Sequence, residues 1–454
     1  MIRSASRIVS VILVGAMIAS SGCATAPPAE QSLPVANKPP QQLQGDVVVW
    51  SHDTSAKSLM AILPAFNKRY PHVKVHVIMT GARLKTRFML ALAAGVGAPD
   101  VMDMSDYDAP RYIATERLTD LTPVAAKYQQ DFPASVWTPC TSQGHVYGVP
   151  WDTSPCAVYY KRDLFKEYGI DADKIDTWDD YIGAGQQIVA RSHGQTKMLP
   201  LGLNDLEPMF ELLVQEGHGQ YFDSQGRIAI NSLACRRALG ILRRLRSAGI
   251  CSDVPAFSQD WMAGFNDEAI ASYPGAVWMA GSIKDTAGAY AGKKTDWRIF
   301  RLPAIDTGGL RVADAFGSCM VIPTQCRNKD AAWAFIQYAL CTAGAQSAHY
   351  RNFSIFPAYL PALKTAAVQS ADPFFGGQRA GRLFSTDLTE IPVLHQPASW
   401  VETIGYVSQA LSHWAASGMP DDDEFFSQLE NTLHIRLHLD ISPESLSRSG
   451  RSAA

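Results

Sequence analysis

Between residues 46 and 102 the spacing of apolar side chains changes four times, and this restricts the fold more than any other feature of the chain. Val47, Val48, Val49 and Trp50 form a short run suited to a buried strand, and Leu59, Ile62, Leu63 and Phe66 then recur at helical spacing. Pro64 lies inside that helical pattern and is expected to kink or shorten it. After Pro71 the period becomes two, with Val73, Val75, Val77 and Met79 on one side. A second helical pattern carries Leu84, Phe88 and Leu92, and Ala98-Pro99-Asp100 opens into Val101-Met102. Strand, helix, strand, helix, strand at this spacing predicts an α/β fold with a parallel sheet. Ligands of such sheets collect beyond the carboxyl ends of the strands. Here those ends carry Ser51-His52-Asp53, Thr80-Gly81 and the polar stretch 103–108.

The theme continues downstream. Residues 157–160 read as a strand, 178–191 as a helix capped by Thr177, 233–248 as an amphipathic helix and 331–340 as another helix. About 400 residues follow the N-terminal segment, and the chain is 47% hydrophobic, which suits two lobes rather than one core. A net charge of −3 gives no reason to expect nucleic acid as a partner. Of eight cysteines, Cys140 with Cys156, or Cys319 with Cys326, could bridge, whereas a helix holds Cys235 and Cys251 too far apart. No spacing suggests a metal site or a cofactor.

The N-terminus has its own logic. Arg3 and Arg7 precede an apolar run over 8–18 and the exit Ala19-Ser20-Ser21-Gly22-Cys23, the pattern of an export signal too short to span a membrane in the mature protein. Gly22-Cys23 resembles the lipobox of bacterial lipoproteins, although Ser20 stands where that pattern prefers Leu. The resemblance implies a lipid on Cys23 and a membrane anchor. Residues 24–45, with Pro27, Pro28, Pro34, Pro39 and Pro40, are expected to be a disordered tether, and 441–454 a disordered tail.

In order along nearly the whole mature chain, a series of segments resembles the extracellular solute-binding proteins of ABC importers, in the cluster that includes maltose-binding protein. The segments are ValValValTrpSerHis (47–52), AlaPheAsnLysArgTyrProHisValLysVal (65–75), AlaProAspVal (98–101), GlyHisValTyrGlyValProTrpAspThr (144–153) and TyrTyrLysArgAspLeuPhe (159–165). ThrTrpAspAsp (177–180), TrpMetAlaGlySerIleLys (278–284), ValIleProThr (321–324) and AlaAlaTrpAlaPheIle (331–336) follow. The resemblance implies a two-lobe periplasmic-binding-protein fold of type II with a ligand cleft between lobes. It implies crossings near 151–157, near 302–304 and after 340. One lobe then comprises 46–154 plus 303–345, the other 155–302 plus 346–440. It further implies a periplasmic or extracellular monomer that hands its ligand to permease subunits with a cytoplasmic ATPase.

A sugar presents apolar C–H faces ringed by hydroxyls, so its site needs flat aromatic rings beside carboxylates and amides. The candidates are His52 and Asp53 after the first strand, Asp106 and Tyr107 after the third, and Trp151 and Asp152 at the first crossing. Trp278, Phe316 with Gly317, and Trp400 complete the set. An enzyme is the rival from another class, since 103–108 has paired carboxylates. The chain offers no nucleophile elbow or phosphate-cradling loop, so no catalytic residue is expected. Within the same fold, a polyamine or a glycerol phosphate is the alternative ligand. The acidic, aromatic loops suit a neutral sugar of one or several units better than a phosphate, which calls for Arg or Lys.

Overall fold

The computed structural model describes residues 36, 38–264, 266–289 and 296–445. The signal segment, Cys23 and most of the tether lie outside the described residues, as do 446–454 of the tail. The C-terminal part of the tether is held: Lys38 pairs with Asp330 at 2.5 Å, and Leu43 is buried.

The first half is built as the sequence pattern predicts. Strand β1 (Gly45–Ser51) leads into helix α1 (Asp53–Arg69), then β2 (Val73–Met79), α2 (Leu84–Ala94) and β3 (Val101–Ser105). β1 pairs in parallel with both β2 and β3. Helix α1 runs through Pro64 to Arg69. Pro64 sits on its exposed face, where water can reach the Met60 carbonyl that the missing N–H leaves free. Beyond the loops after β3, β4 (Gly148–Asp152) ends the first half and β5 (Cys156–Lys161) begins the second.

The second half carries helices α3 (Trp178–Arg191), α4 (Leu206–Glu216) and α5 (Leu233–Ser247), strand β6 (Ser272–Ala276), helix α6 (Met279–Ala289) and strand β7 (Trp297–Arg301). Thr177 opens α3 in a reciprocal capping box with Asp180. β5 lies between β6 and β7, antiparallel to each, with one hydrophobic core on each face.

The chain then returns to the first sheet as β8 (Ser318–Val321), inserted antiparallel between β3 and β4, so that the order is β2-β1-β3-β8-β4. Helices α7 (Lys329–Leu340) and α8 (Ala343–Phe353) cover one face of that sheet. Phe66 of α1 stacks on Tyr70 at 4.7 Å and meets Phe335 of α7 edge-on at 5.4 Å. Helix α8 lies against α1, where Ser58 Oγ and His349 Nδ1 are 2.5 Å apart. Helices α9 (Trp400–Ala416) and α10 (Asp422–Leu437) pack into the second half.

The return crossing falls at 313–317, about ten residues beyond the expected 302–304. The reason is local: Ala304 is tied into the second half by bonds from its N–H to the Asp176 carbonyl and from the Trp178 N–H to its own carbonyl. The last crossing is at 354–358. Residues 441–445 are also held, through the bridge between Ile228 and Ile441 and the Ser445 Oγ to Glu430 bond of 2.5 Å. All seven cysteines among the described residues are free thiols. Cys140 lies in the first half's core and Cys156 in the second's, while Cys319 and Cys326 fall in different clusters.

Candidate ligand-binding site

The three crossings meet and hydrogen-bond to one another. The Cys156 N–H donates to the Ala313 carbonyl at 2.9 Å and the Ala315 N–H to the Ser154 carbonyl at 3.1 Å. The Thr153 N–H reaches the Phe356 carbonyl at 3.2 Å, and the Ala358 N–H the Trp151 carbonyl at 3.3 Å. Gln215 of α4 completes the strip as a strand would: its amide accepts from the Asp314 N–H at 2.9 Å and donates to the Asp314 carbonyl at 2.8 Å. Carboxyl ends of β1, β3 and β4 open onto this strip.

Four carboxylates gather there. Asp152 at the end of β4 accepts from the Ser318 hydroxyl. Asp314 accepts from Thr153 Oγ1 at 2.7 Å and from the Ser154 N–H at 2.6 Å. Glu211 accepts from the Tyr107 hydroxyl and from Gln215 Nε2 at 3.2 Å. Asp106 donates its backbone N–H to the Gly317 carbonyl at 3.1 Å. Burial pushes all four carboxyls up, to about 7 for Asp152 and Glu211, and hydroxyl and amide donors only partly offset it. Their mutual repulsion adds to the shift: Asp314 and Asp152 act on Asp106, and Asp314 acts on Glu211 and Asp152. Beneath them Asp103, fully buried on β3, accepts from Ser51 Oγ at 2.7 Å, and its second oxygen has no partner.

Aromatic rings flank the carboxylates. Phe316, 44% exposed, stands in the left-handed region at φ 67° with its ring 5.0 Å from that of Tyr107. For a bulky side chain this backbone conformation is strained, and such strain concentrates at functional sites. On the second half's side an open groove of about 760 Å³ is lined by Phe257, Trp261, Tyr273, Trp278 and Phe316, with Asp205 at its wall. Phe257 is 62% exposed, also left-handed at φ 61°, and lies 6.1 Å from Trp278 with the rings 23° apart. On the other side of Phe316, Tyr107, Asp106, Asp314 and Gln215 line a smaller recess. It leads by Leu394 and Gln396 to an opening of about 1190 Å³ between the two halves. Rings for C–H faces and oxygens for hydroxyls thus converge where three chain crossings meet.

The sequence profile of the bacterial extracellular solute-binding proteins matches residues 50–346. The chain belongs to that family. Relatives include the arabinooligosaccharide-binding protein of Bacillus subtilis, 27% identical over 282 residues, which are 60% of this chain and 64% of the relative. The Rhizobium radiobacter lactose-binding protein is 26% identical over 77% of this chain and 84% of its own length. The match to the arabinooligosaccharide-binding proteins therefore spans a little under two thirds of their length. Among solved structures, the sugar-binding protein MalE of Xanthomonas citri aligns with a TM-score of 0.74 at 20% identity, covering 87% of this chain and 98% of that one. An ABC transporter associated binding protein from B. animalis subsp. lactis, in complex with beta-1,6-galactobiose, aligns with a TM-score of 0.69 at 24% identity, covering 87% and 97%. The fold is accordingly the α/β, two-lobe periplasmic-binding-protein fold of type II, as the sequence resemblance implies.

Within this solute-binding protein the residues singled out from sequence occupy two kinds of place. Asp106, Tyr107, Asp152, Trp278, Phe316 and Gly317 lie around the crossings. Gly317 is needed there, because a Cβ would fall 2.6 Å from Asp106 Oδ2 and 3.1 Å from the Asp152 carbonyl. His52 is the half-buried N-cap of α1, its N–H 3.5 Å from Asp103 Oδ2, and Asp53 begins the helix on the exposed side. Trp151 and Trp400 are different: both are buried to within 1%. Successive residues of a strand face opposite sides, so with Asp152 at the crossing Trp151 turns into the core, 5.2 Å from His349. Trp400 lies below Tyr107, stacked 5.3 Å from Tyr221. Asp103, Glu211, Gln215, Phe257, Asp314 and Ser318 were not singled out. Asp103 opens the polar stretch 103–108 already read as facing the ligand, so it could have been found. Phe257 gave no signal, because its exposure depends on a left-handed backbone in a loop.

Proposed function

We propose that this protein captures a neutral sugar, of one or several units, at the crossing strip and delivers it to the permease of an ABC importer. The observation that carries this reading is the exposed, strained Phe316 ring standing among Asp106, Asp152 and Asp314. A stacked sugar face covers the ring, and carboxyls that hold protons near neutral pH can both donate to and accept from hydroxyls. A polyamine suits this site less well, since it needs those carboxyls ionised at the desolvation cost that pushes them up. The names and complexes of the relatives, which include arabinooligosaccharides, lactose and galactobiose, support the same ligand class.

In this reading the proposed contacts are Asp106, Tyr107, Asp152, Trp278, Phe316, Gly317 and, at the mouth, His52 and Asp53, with Trp151 and Trp400 supporting the floor from below. The two halves act as lobes hinged at the crossings, and a ligand touching both favours the closed state. The permease and its ATPase read that state. A monomer at the periplasmic or extracellular face, tethered through a lipid on Cys23, completes the proposal. The role is capture, without catalysis or cofactor.

Titration calorimetry with arabinooligosaccharides, lactose, galactobiose, mannitol, spermidine and glycerol 3-phosphate tests it. Saturable binding of a neutral sugar, weakened on the order of tenfold or more by Phe316→Ala, is expected. Binding of spermidine or glycerol 3-phosphate alone would overturn the ligand class.

A further inference from the structure

Cys140 and Cys319 are separated by 179 positions (319 − 140) and meet in one core. On β8, Cys319 and Val321 share a face, and across the ladder they pair with Pro150 and Gly148 of β4. Gly148 has no side chain, and Cys140 takes the space: a Cβ there would lie 3.5 Å from both Cβ and Sγ of Cys140 and 3.2 Å from Val321 Cγ1. Cys140 therefore covers the face that presents Cys319, and its thiol donates to the Val136 carbonyl at 3.6 Å. Both are buried. The pairs that the sequence leaves open, Cys140 with Cys156 and Cys319 with Cys326, are divided between different cores.

We propose that Cys140 and Cys319 form a disulfide when the exported protein folds. The family works outside the cytoplasm, where disulfides persist. The step removes one proton and one electron from each thiol and joins the sulfurs. Both electrons pass to the disulfide of a thiol–disulfide oxidase, which leaves as a dithiol. The neighbouring Cys140 thiol and burial push the Cys319 thiol well up, so it is a poor nucleophile once the core has closed. The bond must therefore form before the sheet is complete. Once made, it fastens β8 immediately after Ser318, which holds Asp152, and so fixes the floor of the site from outside it. This inference is independent of the ligand class.

The test is peptide mapping of the full chain exported by a bacterial host, with free thiols alkylated under denaturing conditions before any reductant. The expected result is a cross-linked peptide joining Cys140 and Cys319, about 2 Da lighter than the two thiol peptides together, which separates on reduction. Reductant should also lower the melting temperature of the exported protein and leave that of Cys140→Ser unchanged. Alkylation of both residues, or a link from either to another cysteine, overturns the proposal. Because the map is read on the natural chain, it stands even if the variant fails to fold.

Discussion

Acidifying the ligand-free protein from pH 8 to 6.5 should stabilise it, an uncommon direction for a chain rich in carboxylates. Folding holds a proton on Asp152 and Glu211 up to about pH 7, whereas the unfolded chain releases it near pH 4. Between those values the folded state binds more protons, so this stability is fully present below the unfolded value and is lost as pH rises through about 7. For Asp152 alone, raised from 3.8 to about 7, the step from pH 8 to 6.5 returns roughly 1 kcal/mol. Glu211 returns a similar amount, so that the pair supplies on the order of 2 kcal/mol. With an unfolding entropy of ~2.1 cal/mol/K per residue over about 400 residues, this corresponds to a rise of ~2 °C. Asp106 and Asp314 act in the same direction. Below pH 6.5 an opposing group enters. His349, buried and held neutral down to about 4, charges more readily in the unfolded chain and withdraws stability as pH falls. One histidine withdraws less than the two carboxyls add, so the rise should continue, more slowly, below pH 6.5. Scanning calorimetry at constant ionic strength without ligand reads it, and Asp152→Asn should remove about half of the rise. A flat or falling melting temperature between pH 8 and 6.5, or an unchanged slope in the variant, would refute the reading of these carboxyls as buried and protonated.

Substitutions at two positions test the crossing itself. Phe316→Gly should melt about 1 °C above Phe316→Ala, because glycine relieves a left-handed residue at φ 67° by ~1 kcal/mol while both variants lose the same ring; the opposite order in calorimetry would contradict the backbone conformation. Gly317→Ala places a methyl 2.6 Å from Asp106 Oδ2 and should cost about 1–3 kcal/mol, with sugar affinity falling alongside. A neutral outcome in melting and calorimetric binding would mean that the floor is looser than the contact implies.

The first three strands and two helices were legible because each alternation has a single burial solution: Val47 and Val49 point inward, and Leu59, Ile62 and Phe66 form one helix face. Positions fixed by distant partners were not legible. The return crossing moved to 313–317 because Ala304 binds Asp176 and Trp178, a contact that no local pattern encodes. The aromatic residues were read by type, but type does not say which way a ring faces. Strand alternation alone would have separated Trp151 from Asp152, and that inference was open at the sequence level. Trp400 could not be separated in this way, since its burial depends on Tyr221 and Tyr107 from remote segments.

The proposed placement of the site at the crossings has a mechanical consequence. Asp152, Asp314, Phe316 and Gly317 belong to the segments that join the halves, so any change in hinge angle must alter the spacing of the groups offered to a ligand. The same backbone that bends also carries the carboxyls, and the Gln215 amide holds Asp314 to the second half through two hydrogen bonds. In the return crossing, the short stretch between Asp314 and Ser318 contains the left-handed Phe316 and the side-chain-free Gly317. A ligand ring stacked on Phe316 and bonded to Asp106 and Asp152 would fix that short stretch from both sides. Under the proposed function recognition and closure become one event, because residues proposed to contact the sugar lie in the segments that join the halves.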